Sequence, residues 1–320
     1  MGDKKRDKQW CVSINLSLIN CMVFITGSNG LLGQKLTDLY LRHPEIPFVA
    51  TGKGPNRHPV KTGYFYEDAD ITDHGRMRSL LEKYKPKAVI NTAAMTNVDA
   101  CESDKTGCDA MNVDAVENLA RLSSELGFKL IHLSTDFIFD GTHPMYTEEE
   151  EPKPLSYYGC SKWEGEKRVM QYARDWAILR TVLVYGVVQD MSRSNIVLWA
   201  YQTLKNGTAA KVVNDQYRTP TLAEDLAMGC FLVEQKQASG IYNIAGPDYF
   251  GIHELMERVG QYFDFQLDQI SLVSSETLNQ PAKRPPITGL DISKAQKELG
   301  YAPHNFGDGL ALVAKQAGWE

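Results

Sequence analysis

From about residue 21 onward, short apolar segments alternate with longer amphipathic ones, and few folds are compatible with this pattern. The apolar segments read MVFIT, FVAT, YFYEDADI, AVINTAA, LIHLST, AILRT and IYNIAG. Helical periodicity lies between them, near residues 31–42, 73–84, 109–126 and 156–173. Strands that alternate with helices form βαβ units, in which successive strands run parallel. The order therefore predicts an α/β fold with an open, doubly wound parallel sheet.

The regularity weakens after the LVYG segment at 183–186, which predicts a second, smaller lobe. We expect 21–180 and 222–246 to form a nucleotide-binding domain of the Rossmann type. We expect 181–221 and 247–320 to form a substrate-binding lobe. Residues 1–20 imitate a secretory signal, but acidic and polar residues interrupt both its charged and its apolar part, so a disordered extension or tag is the preferred interpretation.

Composition excludes several classes of protein. The formal net charge is −6 and no long basic run occurs, so we expect no nucleic-acid partner. No stretch approaches the roughly 18 apolar residues of a membrane span, so we expect no membrane insertion. The six cysteines contain no CxxC pair, which favours reduced thiols of a cytoplasmic protein over disulfides or zinc. No cluster of spaced ligands predicts a metal site.

A glycine-rich turn joins the first predicted strand to the first predicted helix. Gly27, Gly30 and Gly33 lie in TGSNGLLG. Glycine tolerates the left-handed backbone of a tight turn and lets a pyrophosphate approach the main chain, while the following helix offers free N–H groups. In this strand–turn–helix context, the pattern predicts a dinucleotide site over a purely structural turn. The expected contacts are Gly27, Ser28, Asn29, Gly30, Leu31 and Leu32.

The chain lacks the carboxylate that commonly binds the ribose hydroxyls of NAD about 20 residues beyond the glycines. Gly52 stands at this position, and Lys53 and Arg57 follow within reach of a 2′-phosphate. We therefore predict a preference for NADP(H), with NAD(H) as the alternative if these cations are only solvated. Asp70 and Ile71, after the third strand, are candidates to flank the adenine, although a strand end also simply needs a loop.

A hydroxyl pair and a Tyr-x-x-x-Lys pair predict acid–base chemistry. Ser134 and Thr135 follow LIHL at the carboxyl end of a predicted strand, where open α/β sheets bind ligands. Tyr158 and Lys162 are four residues apart and share one face of a helix. A tyrosine can protonate a carbonyl oxygen when a lysine ammonium stabilises its anion, and a threonine hydroxyl can bond the same oxygen. The pair alone is common in helices, but the combination predicts a reductase.

Taken together, these strings resemble the extended short-chain dehydrogenase/reductases, and more narrowly the dTDP-4-dehydrorhamnose reductase family. The likeness spans about residues 21–318 and includes TGSNGLLG, VINTAAMTNVDACE, MNVDAVENLA, LSTDFIFDG, PLSYYGCSKWEGE, LRTVLVYG, VNDQYRTPT and RPPITGLDISKAQKELGY. It implies an NADPH-dependent reductase of the 4-keto group of a nucleotide-linked 6-deoxy sugar, as in dTDP-rhamnose biosynthesis. It implies that Thr135, Tyr158 and Lys162 are catalytic, with Lys162 also holding the nicotinamide ribose.

The resemblance also implies positions for the two ligands. Asn91, Ala93, Ala94 and Thr96 would line the cofactor after the fourth strand, and Asn112 would support the site from a helix. The positions implied for the sugar nucleotide are Phe137, Asn214, Asp215, Gln216, Arg218 and Arg284. A guanidinium matches a pyrophosphate bidentately, yet a surface ion pair explains either arginine equally well. The resemblance also allows a homodimer, although no segment specifies its interface.

Three departures from the family pattern concern the substrate more than the reaction. Phe137 replaces a usual tyrosine, Val182 and Leu183 replace a serine and a tryptophan, and Cys160 replaces a basic residue. Lost hydrogen-bonding groups reduce discrimination, so the reaction type is better supported than the sugar. We expect Tyr157, unlike its neighbour, and also Cys160 to pack within the helix.

Two alternatives stay open. One is another nucleotide-sugar enzyme of the same superfamily, although dehydratases usually follow the threonine with Asp-Glu, whereas here Asp136 precedes Phe137. Epimerases retain NAD, which the missing carboxylate disfavours. The other is a non-catalytic regulatory subunit, since the family is similar to the beta subunit of methionine adenosyltransferase.

Overall fold

The computed structural model describes residues 22–190 and 194–319, so the extension expected at 1–20 lies outside the described residues. The strands are β1 (Val23–Thr26), β2 (Phe48–Gly52), β3 (Phe65–Asp68), β4 (Ala88–Asn91), β5 (Lys129–Thr135), β6 (Met145–Tyr146), β7 (Trp176–Thr181), β8 (Val184–Tyr185), β9 (Ala210–Val213), β10 (Tyr217–Arg218), β11 (Thr221–Leu222), β12 (Gly240–Asn243), β13 (Phe250–Gly251), β14 (Ile270–Val273) and β15 (Ile287–Leu290). The helices are α1 (Leu31–Leu41), α2 (His74–Tyr84), α3 (Val98–Ser103), α4 (Lys105–Asp109), α5 (Ala115–Leu126), α6 (Tyr157–Tyr172), α7 (Ile196–Lys205), α8 (Ala223–Gln235), α9 (Ile252–Phe263), α10 (Ser293–Leu299) and α11 (Phe306–Ala317).

Seven parallel strands form the central sheet, in the order β12-β7-β5-β4-β1-β2-β3. The doubly wound α/β fold predicted from the alternation is therefore confirmed. The chain moves outward from β1 in one direction through β2 and β3, and then in the other direction through β4, β5 and β7. Ligands bind beyond the carboxyl ends of the strands at such a reversal. The glycine turn follows β1, and Thr135 ends β5, two strands away.

Apolar side chains cover both faces of this sheet, as a parallel sheet requires. On one face α1 and α8 pack together and bury Leu36, Tyr40, Leu226 and Val233. On the other face, α2, α5 and α6 contribute buried residues that include Leu80, Leu119 and Val169. Both layers pack against the strands, so the positions of the residues at the strand ends depend on the sheet.

The smaller lobe combines late segments with one early strand. Its sheet has the order β13-β10-β15-β6, in which β6 comes from the chain before α6. Helices α7, α9 and α11 enclose a separate apolar core that includes Tyr201, Leu255, Val259 and Leu310. Among the described residues, no helix is both long and apolar enough to cross a membrane.

Candidate active site at the carboxyl ends of the strands

The turn after β1 is built for close approach of a ligand to the main chain. Gly27 has φ +66°, and a Cβ there would lie 2.7 Å from the amide nitrogen of Ala93. A Cβ on Gly33 would lie 2.4 Å from the carbonyl oxygen of Gly27, so α1 packs against the turn only without a side chain. Gly30 caps α1 without a side-chain hydrogen bond. The first N–H groups of α1 are thereby left for an anion.

Among the described residues, two buried hydroxyls at this edge of the sheet have no hydrogen-bond partner. They are the Oγ atoms of Ser28, in the glycine turn, and Ser134, one residue before the end of β5. A buried hydroxyl without a partner costs free energy, and in a binding site the ligand supplies the missing bond. Both the turn and these hydroxyls fit a dinucleotide.

Asn29 organises the loop that follows β2. Its amide nitrogen donates to the carbonyl oxygens of Lys53 at 3.2 Å and Pro55 at 3.1 Å, and its oxygen accepts from the amide of Arg57 at 2.9 Å. A Cβ on Gly52 would lie 2.9 Å from this amide nitrogen. The absence of a side chain at the expected acidic position therefore lets Asn29 connect the phosphate turn to the basic loop.

The two cations of this loop have different surroundings. Lys53 is 84% exposed, and its Nζ lies 3.0 Å from a carboxylate oxygen of Asp70. Hydrogen bonds from Thr72 lower the pKa of Asp70, and Lys53 adds to that effect. Arg57 is 34% exposed and lies 3.8 Å from Asp190. Ile71 is buried in the sheet core, so the structure brings Asp70 and Lys53 together but places the Ile71 side chain among apolar residues.

Thr135, Phe137 and Tyr158 come together where β5 ends and α6 begins. Thr135 Oγ1 donates to Asp136 at 3.1 Å and accepts from the amide of Phe137 at 3.2 Å. The Phe137 and Tyr158 rings meet edge to face, 5.6 Å apart. A Cβ on Gly159 would lie 2.2 Å from the Phe137 carbonyl oxygen, so this glycine lets α6 approach the strand end.

Lys162 lies one turn farther along α6 and is only 3% exposed. Its Nζ donates to the carbonyl oxygen of Leu133 at 2.6 Å and lies 3.4 Å from Nε2 of His132. Burial lowers the pKa of Lys162 to about 8, and the negative charge of Glu166 opposes that shift. A buried lysine with a lowered pKa beside a buried tyrosine is typical of an acid–base site.

Asn112 connects the segment after β4 to α6. It lies in a π-helical turn, Ala110–Asp114, where its Oδ1 accepts from the amide of Met95 at 2.9 Å. Its Nδ2 donates to the Met95 carbonyl at 3.0 Å and to Ser161 Oγ at 3.0 Å. This buried amide therefore fixes the backbone that follows Ala93 and Ala94 relative to α6. Thr96, by contrast, is exposed.

Protein oxygens surround the guanidinium of Arg218 in this structure. Arg218 is 3% exposed, and its terminal nitrogens donate to the carbonyl oxygens of Tyr217 at 2.8 Å, Pro286 at 3.0 Å and Pro285 at 2.6 Å. Its Nε lies 3.5 Å from Asp136. Arg218 is thus a buried ion-pair residue beside Asp136 in this structure, and its contact with a pyrophosphate stays a prediction.

The other residues expected for the sugar nucleotide lie at different places in the smaller lobe. Arg284 donates to both carboxylate oxygens of Asp99, at 3.2 and 2.7 Å. Asp215 accepts from the hydroxyls of Ser274 and Ser275 at 3.1 and 3.0 Å. Gln216 is buried and Asn214 is exposed. Arg284 and Phe137 thus lie near the strand ends or the segments that follow them, whereas the side chain of Asp215 holds the segment after β14.

Two further expectations can be compared with the structure. Cys160 is exposed rather than packed within the helix, because α6 turns this position toward solvent. Tyr157 packs beside Tyr158, and its hydroxyl also donates to Asp109 at 2.6 Å. Within the described ranges, no group of three or more His, Cys, Asp or Glu residues could hold a metal ion. Sequence reasoning missed His132, whose signal is a polar residue inside the apolar LIHL run.

Comparison with known proteins matches residues 21–318 to the RmlD substrate binding domain. A probable low-salt glycan biosynthesis reductase, Agl14, of Haloferax volcanii is 35% identical over 91% of this chain and 96% of that protein. The methionine adenosyltransferase 2 subunit beta of Xenopus laevis is 31% identical over 85% of this chain and 81% of that protein. The crystal structure of a Bacillus anthracis dTDP-4-dehydrorhamnose reductase in complex with NADP is 25% identical, has a TM-score of 0.79 and covers 93% of this chain and 99% of that chain.

Proposed function

Because the chain belongs to the RmlD substrate binding domain family and is an NAD(P)-dependent oxidoreductase, we propose that it uses NADPH to reduce the 4-keto group of a nucleotide-linked 6-deoxy sugar. The observation that carries the proposal is the position of Tyr158 at the start of α6. It is buried against Phe137, just after the end of β5, and lies one helical turn before the buried Lys162.

The cofactor would lie across the carboxyl edge of β1 and β4. Residues 27–32 would bind the pyrophosphate, Lys53 the 2′-phosphate, and Asp70 and Ile71 the adenine side. Ala93, Ala94 and Thr96 would face the nicotinamide end, with Tyr158 and Lys162. When bound, this group supplies the hydride. Exposure of Lys53 favours NADPH, and NADH remains the alternative because Asp70 already pairs with that lysine.

Side chains of the protein would donate the proton that the reduced carbonyl oxygen needs. Tyr158 gives its hydroxyl proton to the carbonyl oxygen of the sugar, and the ammonium of Lys162 stabilises the tyrosinate that forms. Thr135 donates its hydroxyl to the same oxygen after releasing Asp136, its present partner. Asp136 stays in place without this bond, because Thr288 donates to it at 2.5 Å and Arg218 lies beside it.

A second candidate is a binding-only regulatory subunit, which the identity to the Xenopus laevis beta subunit favours. Both candidate functions include cofactor binding at the nucleotide site, but only the reductase would turn over a substrate. Cytoplasmic location is part of the leading proposal, and all four cysteines in the described residues are free thiols. We propose a homodimer as the assembly, and analytical sedimentation of the purified protein tests it.

The decisive experiment offers the purified protein NADPH and a panel of dTDP-, UDP- and GDP-linked 4-keto-6-deoxy sugars. We expect NADPH oxidation at 340 nm with one member of the panel, and a reduced C4 in the product by NMR. Tyr158→Phe should lower kcat by about 10²- to 10⁴-fold while leaving the Kd for NADPH nearly unchanged. Tyr157→Phe is the matched control and should keep most of the activity.

Three outcomes would contradict the proposal or part of it. Tight NADPH binding with no oxidation across the panel would favour the binding-only role. Turnover in Tyr158→Phe at the parental rate would remove this tyrosine from the chemistry. Tighter binding of NADH than of NADPH would reverse the cofactor preference.

A further inference from the structure

A row of polar side chains crosses three neighbouring strands under the catalytic helix. Thr26, Asn91 and His132 occupy registered positions of β1, β4 and β5. Their exposures are 1%, 1% and 0%, and the residues before them in each strand are apolar. Burying polar groups in the middle of a sheet costs free energy unless each is hydrogen-bonded. The hydrogen-bond partners of these three side chains therefore indicate the role of the row.

The row runs toward the catalytic lysine. Thr26 Oγ1 donates to Asn91 Oδ1 at 2.6 Å, and Asn91 Nδ2 lies 3.1 Å from His132 Nδ1. On the other side of the ring, His132 Nε2 lies 3.4 Å from Lys162 Nζ. With an amide N–H directed at Nδ1, that ring nitrogen is the acceptor, and a neutral imidazole then carries its proton on Nε2.

The proton on Nε2 matters because it faces Lys162 Nζ, which is itself a hydrogen-bond donor when it is charged. An Nε2–H group can donate to the lone pair of an uncharged amine, whereas it opposes the N–H groups of an ammonium. The carbonyl oxygen of Leu133 accepts from Nζ in either state. Burial, followed by the charge of Lys162, holds the pKa of His132 well below its ordinary value, so the ring stays neutral.

The other groups that influence Lys162 do not favour the uncharged amine. Glu166 lies on the same helix, and Cys108 lies on α4; both raise the pKa of Lys162. Arg180 of β7 binds the Glu166 carboxylate at 2.8 Å and thereby compensates part of its charge. Tyr158 lies one turn earlier on α6. Among these neighbours, the imidazole is the polar group that can stabilise the amine directly.

We infer that His132 is a positioning residue, whose fixed tautomer destabilises the ammonium of Lys162 relative to the uncharged amine without removing the charge that the proposed reaction uses at neutral pH. Asn91 selects that tautomer through its Nδ2 group, and Thr26 supports this orientation of the amide by donating to Oδ1. The row thereby connects the end of β1, where the cofactor turn begins, to the lysine that supports the proton donor. This inference rests on the proposed role of Lys162, but its tests in the protein without cofactor do not require a substrate.

The first test is ¹⁵N NMR of the cofactor-free protein, with His132 assigned by its loss in His132→Gln. We expect a bare Nδ1 and a protonated Nε2, with no titration between about pH 5 and pH 9. A protonated Nδ1, or a ring that titrates near pH 6.5, would overturn the inference.

The second test measures the pKa of Lys162 in the same preparation, from the pH dependence of its ¹⁵Nζ shift, assigned with Lys162→Met. His132→Leu removes the Nε2–H donor and should raise this pKa by about half a unit or more. His132→Gln can place an amide N–H near the position of Nε2 and should restore much of the parental value. Thr26→Val, which removes one hydroxyl at nearly constant volume, should raise the pKa of Lys162, as His132→Leu does. This variant tests the inference if the histidine variants do not fold.

Ile131→Val is the matched control, because this neighbour is also buried in β5 and points to the opposite face. It should lower stability slightly and leave the Lys162 titration unchanged. If His132→Leu and Thr26→Val both leave the titration unchanged, the inference fails. If the NMR results hold but no sugar is reduced, the proposed function fails instead. Once a substrate is known, the apparent pKa of the high-pH limb of the kcat profile should shift among the variants in the same order as the pKa of Lys162.

Discussion

Two adjacent tyrosines at the start of α6 have different surroundings, which explains why only one serves as a proton donor in the proposed reaction. The hydrogen bond from Tyr157 to Asp109 raises the pKa of Tyr157 to about 12. A phenol that binds a carboxylate loses its proton less readily, because its anion would face a negative charge. Tyr158 instead lies between the Phe137 ring and the turn of α6 that carries Lys162.

Lys162 should cost the protein stability at neutral pH. Its folded pKa of about 8 lies below the ordinary 10.5, so the unfolded chain binds the additional proton between those values. The contribution of Lys162 to the free energy of unfolding therefore rises with pH across this window and is constant below it. We expect Lys162→Met to be more stable at neutral pH by roughly 1–3 kcal/mol, with a difference that shrinks toward pH 10.5.

Urea unfolding of both proteins at several pH values between about 7 and 10 measures this difference. Lys53→Met is the control, because its side chain is 84% exposed and should change the curve little. A Lys162→Met protein that is less stable at neutral pH, or a difference that does not depend on pH, would contradict the assignment of a depressed pKa.

At the scale of residues, the sequence was informative where chemistry depends on local spacing. Tyr158 and Lys162 are one turn apart in α6, and Thr135 ends β5, as the pattern predicted. The surroundings of Arg218 and Cys160 could not be predicted this way. Burial of the arginine depends on the carbonyl oxygens of Pro285 and Pro286, which are about 70 residues away in sequence, so spacing along one segment does not indicate it.

At the scale of elements, the junction of β1 and α1 depends on one glycine without unusual dihedral angles. A Cβ at Gly33 would meet backbone atoms of Gly27 and Ser28 at 2.4 and 2.5 Å, and backbone cannot move aside as a flexible side chain can. We expect Gly33→Ala to lower stability by about 1–3 kcal/mol and to weaken NADPH binding by about tenfold or more, because the turn must open.

Gly127→Ala separates these two effects. Gly127 has φ +78° at the end of α5, and no atom of the described residues lies within 4 Å of its added Cβ, so this variant should lose about 1 kcal/mol through backbone strain alone. Its NADPH affinity, measured by fluorescence titration, should match the parent. Equal effects of both variants on affinity would show that the turn does not form the phosphate site.

Helix boundaries were predictable except where a side chain interrupts the period. The predicted helices at 31–42, 73–84 and 156–173 correspond to Leu31–Leu41, His74–Tyr84 and Tyr157–Tyr172. The segment predicted at 109–126 instead contains the π-helical turn Ala110–Asp114 before α5. A period of 3.6 residues does not reveal this turn, because its cause is the set of bonds from Asn112 to Met95 and Ser161.

At the scale of the whole molecule, residues from distant segments close one side of the candidate site. Thr288 of β15 donates to Asp136, which is next to Thr135, and Met145 of β6 pairs with Gly289. Hydrophobic periodicity predicts strands and helices but not which short strands pair across more than a hundred residues. The doubly wound sheet was predictable because its rules of connection are general, whereas the smaller sheet is held by specific contacts.

The pair of Asp99 and Arg284 joins these segments and leads to a prediction about substrate binding. Asp99, at the start of α3, accepts from the amide of Ala282 and from both terminal nitrogens of the Arg284 side chain. If Arg284 binds the pyrophosphate of the sugar nucleotide, it must exchange this carboxylate for the substrate. The bidentate pair would then stabilise the empty site and compete with binding.

Arg284→Met should therefore raise the KM for the nucleotide sugar by about tenfold or more, while Asp99→Asn should lower it several-fold, because its neutral amide competes less well for the guanidinium. Neither change should alter the Kd for NADPH, since both residues lie outside the glycine turn and the loop after β2. Steady-state kinetics at saturating NADPH, with a direct cofactor titration of each variant, distinguishes the two directions. An increase of KM in both variants would instead show that the pair only holds residues 282–284 in place, and that the pyrophosphate binds elsewhere.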